Sequence, residues 1–452
     1  MKQIKEKINS FSKWFKICFC LVFIIYIAFW FFSMHLSVVQ KSQNIKPLLP
    51  VLYQDSHEYA DLAQSLIHDS SFVQNGFSET FRVPGYPFFV AVFYLVGGYF
   101  LVTFIQIFLV FMSAFLIREI GIIFSGKKVG EVAALFFLLN PVILALSLII
   151  LTDILFLFLF LLGFYLTISA SREKLISRVV LISVVFAGAI YMRPIGVFAL
   201  PVFVAPFLVS KISLREKIKS ICIMVLIILV LLAPWIIRNY KITGVADFSS
   251  SKSMNLAFYY VPMFLSNRNG TSVETERAKI EKETNIPIEN WRDLHFSPEL
   301  SSVTEKIILE HPFSYVEYHT VSSLPFLFSS YIQDAVYTYR SAMTLPIMSA
   351  DGVMRYFLSG NYKLFFDGVM AVWWKIFERI FLLLMYVIAV FGLWRNRKNL
   401  LAWIFIFTVV YLMLLSGPVA NARLAIQAIP FILLLFTSGF WPIYEKLKTK
   451  IR

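Results

Sequence analysis

From Val132 to Ala170 the chain runs 39 residues with one charged side chain, Asp153. A membrane-crossing helix takes roughly 20 apolar residues. The stretch is therefore too long for one helix and predicts two, turning between Ser147 and Leu151. A carboxylate in such a run is costly unless it faces a cavity or a partner. Asp153 thus reads either as a functional group or as an anion favoured by the helix dipole in the first turn of an outward-starting helix.

Similar runs recur along the 452 residues. Spans are expected near 17–38, 99–122, 131–147, 151–170, 178–193, 195–210, 219–237, 370–394, 399–417 and 424–443. Only 15% of residues are charged, against about 25% in a soluble domain. The fold class expected is an all-α polytopic membrane protein with about 10–12 transmembrane helices. Met1 to Lys16 is basic and the apolar run after it is too long for a signal peptide, so it predicts a permanent first helix. Three parts are expected: an N-terminal transmembrane module over 1–240 with a first outer loop at 39–98, an outer polar segment over 241–369, and C-terminal helices over 370–452.

The net charge of +14 would suggest nucleic acid in a soluble protein. Here the basic residues fall in short bursts between apolar runs, which makes them topology signals and excludes a nucleic-acid partner. The segments 1–16, 125–131, 171–178, 211–219, 395–398 and 446–452 hold 21 of the 41 Lys and Arg. The positive-inside bias puts these in the cytoplasm, with both termini. It puts 39–98, the turn near 148–153, the Arg193-Pro194 junction and 238–369 outside. Cys18, Cys20 and Cys222 lie in apolar runs without metal or disulfide spacing. Within the outer segment, Val273–Thr284 and Ser301–Glu310 read as helices, the first exposed and the second stopping at His311-Pro312. Leu324–Ile332 is apolar but too short to span, as a re-entrant or interfacial piece would be.

The first outer loop carries the richest chemistry. Tyr59, Leu62, Ala63 and Leu66 share a helical face, so Asp55 falls at or just before the start of an amphipathic helix. Asp55 is then a candidate site residue or only a helix cap. Arg82-Val83-Pro84-Gly85-Tyr86-Pro87 is a rigid turn back into the membrane. It places Arg82 at the height of lipid headgroups, either to meet a phosphate or to snorkel. Arg193 and Arg423 stand at outer junctions, where topology or packing also explains them. Pro234-Trp235 to Arg238-Asn239 reads as an interface belt.

Taken in order, Asp55, Tyr59, Ala63, Arg82-x-Pro-Gly-Tyr-Pro, Asn140-Pro141, Thr152-Asp153, Arg193-Pro194 and Pro234-Trp235 with Arg238-Asn239 resemble glycosyltransferase family 39. That family belongs to the C-type superfamily, whose members use polyprenyl-phosphate sugars. The resemblance covers 17–240 well and the tail, with His311-Pro312 and Arg423, more loosely. It implies a C-type bundle with interfacial helices in the first outer loop. Asp55 matches the family's essential first-loop aspartate, and Arg82 a basic position that meets the donor phosphate. Asp153 matches a second acidic position where Glu is common. The large C-terminal soluble domain of some members is not expected here.

The expected reaction is transfer of a hexosyl or pentosyl group from a polyprenyl-phosphate donor to the hydroxyl of a lipid, polysaccharide or protein acceptor. It would take place on the outer face of the plasma (inner) membrane, among membrane lipids. Asp55 would act as general base and Asp153 beside it, with Arg82 and Arg193 on the leaving phosphate. Tyr59, Tyr86, Glu58 and Arg423 complete the expected site as substrate-binding residues. Inversion follows from the resemblance and from the lack of a second nucleophile. A divalent metal is the one cofactor left open. The alternative is a transporter or flippase for a lipid-linked or anionic substrate, which would place acids near the midplane in repeated halves; no repeat is visible.

Overall fold

The computed structural model describes residues 11–42, 55–169, 175–209, 212–335 and 362–451. The expectations that fall on 1–10, 43–54, 170–174, 210–211, 336–361 and 452 lie outside the described residues. A long α1 (Lys13–Ser42) is followed by α2 (Ser56–His68). A two-residue hairpin comes next, Val73–Gln74 paired antiparallel with Phe77–Ser78. Asn75 and Gly76 turn it with φ of 52° and 84°, the double positive φ that a tight hairpin requires.

The bundle continues with α3 (Gly85–Ser125), α4 (Lys127–Leu138), α5 (Pro141–Ser147), α6 (Asp153–Ile168), α7 (Leu175–Met192), α8 (Leu200–Val209) and α9 (Leu214–Thr243). Two departures from expectation lie here. Residues 85–96, placed in the outer loop by sequence, are the first limb of α3. The limb breaks at Gly97-Gly98, where Gly98 takes φ 69°, a conformation only glycine adopts cheaply. The span expected at 131–147 is not one helix. α4 ends at Leu138 and α5 leaves at 61° to it. Asn140 Oδ1 accepts from Val142 N at 3.0 Å and Ile143 N at 3.4 Å, with Pro141 at the first helical position. That start signal cannot be read through as helix interior.

Beyond α9 the chain leaves the bundle through α10 (Ser251–Asn255), α11 (Val261–Asn269), α12 (Val273–Thr284), α13 (Ser297–Glu310), α14 (Pro312–Ser322) and α15 (Pro325–Phe328). α13 begins four residues earlier than expected because Pro298 sits in its first turn. The segment has its own core of Val261, Ile280, Ile286, Trp291 and Leu300. α12 is therefore not exposed all round, since Ile280 is its buried anchor. Trp291 is fully buried, and its indole N–H donates to Ile286 O at 2.9 Å.

The chain returns as α16 (Tyr362–Arg395), α17 (Leu400–Ser416), α18 (Ala422–Ala425) and α19 (Ile429–Ile451). α16 and α19 meet at Gly392 and Gly439. A methyl group on either would collide with a carbonyl of the facing helix, Leu435 or Ile388. Close backbone approach at small residues is how helices associate where no water drives them together.

Among the described residues six helices are long and apolar enough to cross a bilayer, and the broken pair of α4 and α5 would make a seventh. α6, at 16 residues, is about 24 Å long against a hydrocarbon thickness of about 30 Å. At the end of the bundle that carries α4's first turn, Glu131 is fully buried and accepts from Ser12 N at 2.9 Å and Ser12 Oγ at 2.6 Å. The protein is an integral membrane protein.

Candidate functional site

At the opposite end of the bundle, the starts of α2, α3, α6 and α18 converge with the outer segment around a cavity of about 520 Å³. Each functional side chain is positioned by local structure. Asp55 precedes α2, but its carboxylate makes no capping bond to that helix, which removes the helix-cap reading. α2 is seated by Tyr59, Leu62 and Ala63, all buried.

The Arg82 backbone is fixed from several sides. Glu79 Oε1 accepts from Phe81 N at 2.6 Å and Arg82 N at 2.9 Å. Ser249 Oγ donates to Phe81 O at 2.7 Å, and Leu294 N to Thr80 Oγ1 at 3.1 Å. Arg238, expected as an interface-belt residue, donates to the carbonyls of Glu79 at 2.7 Å and Phe72 at 3.2 Å. It straps the first loop to α9.

Asp153 is fully buried at the first position of α6. Gln106, on α3, sets the turn before it. Its amide donates to Ser147 O at 3.1 Å and Ile149 O at 2.7 Å while its carbonyl accepts from Tyr86 OH at 2.6 Å. Arg423 stands in the single turn of α18. That turn is held by Asn421 Oδ1, which accepts from Leu424 N at 3.0 Å, and by Asp334 Oδ2, which accepts from Ala422 N at 3.1 Å.

These groups form one alternating chain of charge. Arg193 Nη1 donates to Asp153 Oδ1 at 2.6 Å. Arg423 donates to Asp153 Oδ2 from Nε at 3.1 Å and Nη2 at 2.9 Å. Its Nη1 and Nη2 also reach Asp55 Oδ2, both at 3.3 Å. Arg82 Nη2 takes the other oxygen, Asp55 Oδ1, at 2.9 Å. Arg82 Nε meets Glu58 Oε2 at 2.7 Å, and Nη1 meets Tyr59 OH at 3.1 Å. Arg292 closes the series with a bidentate pair to Glu58, at 2.9 and 2.7 Å. Asp55 and Asp153, sharing Arg423 Nη2, are no more than about 6 Å apart.

Among the described residues of this chain of contacts, four guanidiniums against three carboxylates leave one positive charge in excess at the cavity. Burial would raise the Asp55 and Glu58 carboxyls. For Asp55, the charges of Arg82 and Arg423 and their hydrogen bonds outweigh burial. For Glu58, the hydrogen bonds and charges of Arg292 and Arg82 do the same. Both acids are held below the usual carboxylate range.

Of the residues expected from sequence, Asp55, Glu58, Tyr59, Arg82, Arg193 and Arg423 line the cavity, and Asp153 lies directly behind Arg193 and Arg423. Tyr86 does not line it. Its ring is fully buried, edge-on to Tyr59 at 5.0 Å, and its hydroxyl is committed to Gln106. Its place in the structure is under the site, against Tyr59 and beside the turn that precedes Asp153. Arg292 was missed. In sequence it is one of many charged residues between 267 and 311, and only the docking of the outer core onto the first loop singles it out. Tyr259 and Tyr260, also unforeseen, line the cavity from the π-helical turn before α11.

A divalent metal needs several oxygen or nitrogen donors with few competing cations. Among the described residues no group of three or more His, Cys, Asp or Glu converges. Asp55 and Asp153 are each already paired with two arginines. Among the described residues, the side chains at the cavity do not fit a divalent ion.

No protein-family model matches the chain, and no curated protein matches it. Solved structures do. The archaeal oligosaccharyltransferase AglB from Archaeoglobus fulgidus, in complex with an inhibitory peptide and a dolichol-phosphate, superposes with a TM-score of 0.51 at 11% identity. The match covers 97% of this chain and 52% of that one, so this chain spans about half the length of AglB. ArnT from Cupriavidus metallidurans bound to undecaprenyl phosphate gives a TM-score of 0.42 at 12% identity, over 94% of this chain and 77% of that one. Its apo state gives 0.40 at 12% identity, over 93% and 76%. At such identities the likeness to AglB is one of fold alone.

Proposed function

We propose that the protein is a membrane glycosyltransferase that moves a sugar from a polyprenyl-phosphate donor to an acceptor hydroxyl on the outer face of the plasma (inner) membrane. The observation that carries the reading is the alternating chain of four arginines and three carboxylates around one cavity. An excess of guanidinium in a walled cavity suits an anionic leaving group, because charge developing on phosphate is stabilised by fixed donors already in place. The cavity is built from segments that the positive-inside bias puts outside. AglB, which shares the fold, is itself bound to a dolichol-phosphate. Within the C-type superfamily, family 39 is the one these residues resemble.

In this reading Arg82 and Arg193 hold the donor phosphate and Asp55 takes the acceptor proton. The acceptor oxygen attacks the anomeric carbon, the bond from that carbon to the phosphate oxygen breaks, and the lipid phosphate leaves with the electron pair. One displacement inverts the anomeric centre. No internal repeat is visible in the sequence, which favours this reading over a transporter built from repeated halves.

The test is sugar transfer from polyprenyl-phosphate donors by the purified protein in nanodiscs. Asp55→Asn keeps size but removes the base, so turnover should fall by at least ~10² while donor binding stays near wild type. Wild-type turnover in this variant would remove Asp55 from the chemistry.

A further inference from the structure

Both carboxylate oxygens of Asp55 are occupied. Oδ1 accepts from Arg82 at 2.9 Å, and Oδ2 accepts from two nitrogens of Arg423 at 3.3 Å. A carboxylate in this state is a poor base, because a proton arriving on either oxygen must displace a guanidinium. The Arg423 contacts to Asp55 are longer than those to Asp153, at 2.9 and 3.1 Å. Arg423 is thus tied to Asp153 and leans on Asp55. Asp153 is in turn held by Arg193 on its other oxygen. Arg423 also lies on the cavity wall beside the open space.

We propose that Arg423 is a clamp on Asp55 that the donor phosphate releases, so that the base becomes competent only after the donor is bound. The proposal rests on the transfer reading above and adds to it an order of events. A phosphate entering the cavity is an anion competing with Asp55 Oδ2 for the Arg423 nitrogens. When the guanidinium turns to phosphate, its tie to Asp153 keeps it in place, and Oδ2 is freed to face the acceptor. In the transfer step the acceptor hydroxyl gives its proton to Oδ2 as its oxygen bonds the anomeric carbon, and the electron pair of the breaking bond leaves on the phosphate. Arg423 returns to Asp55 when the lipid phosphate departs. Arg423 acts here as a positioning residue whose switching prevents acceptor activation, and hence wasteful chemistry, in a site without donor.

The charged groups facing Asp55 are known from each element around it: Tyr59 and Glu58 on α2, Arg82 before α3, Asp153 on α6 with Arg193 beyond it, Arg423 on α18, and Arg292 behind Glu58. Among the described residues, those in contact with Asp55 are Arg82 and Arg423. Release of Arg423 therefore removes one of two stabilising charges and must raise the pH at which Asp55 takes a proton.

The experiment is carbodiimide-plus-amine labelling of Asp55 across pH in the full chain, read by peptide mass spectrometry, with and without a polyprenyl monophosphate. Binding of the lipid is followed separately by thermal stabilisation. The labelling midpoint of Asp55 should move up by about one pH unit or more when the lipid binds. Arg423→Gln should show the raised midpoint without lipid and no further movement with it, and Arg423→Lys should fall between. Should Arg423→Gln fail to fold, the wild-type comparison with and without lipid decides alone. Lipid that binds and leaves the Asp55 midpoint unmoved overturns the clamp while the transfer reading stands. Lipid that does not bind at all overturns both.

Discussion

Replacing Arg82 by lysine separates charge from geometry at the site. Arg82 makes three side-chain hydrogen bonds, to Asp55, Glu58 and Tyr59, and an ammonium on a single stem cannot span all three partners. The loss to folding should be small, because each carboxylate keeps a second partner: Arg423 for Asp55 and Arg292 for Glu58. These pairs are also partly open to solvent, which caps their worth at about 1 kcal/mol. In transfer the same fork faces phosphate. Losing one of two charge-assisted contacts there costs about 1.5–3 kcal/mol, or ~10–10²-fold in turnover. Arg82→Ala removes the charge as well and should cost ~10³-fold or more. The assay is single-turnover sugar transfer with donor affinity measured in parallel. Arg82→Lys at the wild-type rate, in a folded protein, would refute the assignment of Arg82 to the leaving phosphate.

Three further outcomes are expected. A cysteine placed at Asn269, exposed at the end of α11, should react with an impermeant thiol reagent in intact cells; labelling seen only after lysis would invert the orientation. Gly439→Leu should abolish the folded bundle, since the facing Ile388 carbonyl leaves no room for a side chain; loss of the monodisperse peak in detergent is the readout, and a normal peak would mean α16 and α19 do not meet there. Asp55 and Glu58 have folded pKa values below their ordinary 3.8 and 4.5. Their contribution to stability is therefore full above those values and lost as pH falls through the lower folded ones. Thermal stability should drop on the acid side in wild type and drop less in Asp55→Asn; identical acid limbs would count against the ion-pair geometry.

Six of the expected spans were legible because hydropathy is a local signal, and rare charge and motif singled out the two acids as candidates. Asp153 announces itself by standing alone in an apolar run, and Asp55 and Arg82 by motif. What escaped depends on three dimensions. Arg292 matters because Leu294 N donates to Thr80 Oγ1 and Ser249 Oγ to Phe81 O, which docks the outer segment on the first loop, and no pattern within residues 267–311 encodes that docking. Tyr86 sits in the most recognisable motif of the chain, yet its hydroxyl serves Gln106 and not the cavity. The α4–α5 break was hidden because a hydropathy run does not register that Asn140-Pro141 starts a new helix.

Gln106 deserves a place beside the charged residues for a reason of depth. It is fully buried, and its amide joins the carbonyls of Ser147 and Ile149 to the Tyr86 hydroxyl. If it is lost, each buried polar atom left without a partner would cost about 1–3 kcal/mol. The turn that aims Asp153 would relax by whatever route satisfies those carbonyls. In a saturating mutagenesis screen for activity, Gln106 should therefore be as intolerant as the acids themselves. A map of sensitive positions drawn on this protein will extend inward from the cavity along that amide, and it will mark a link between α3 and the turn before α6 that touches no substrate.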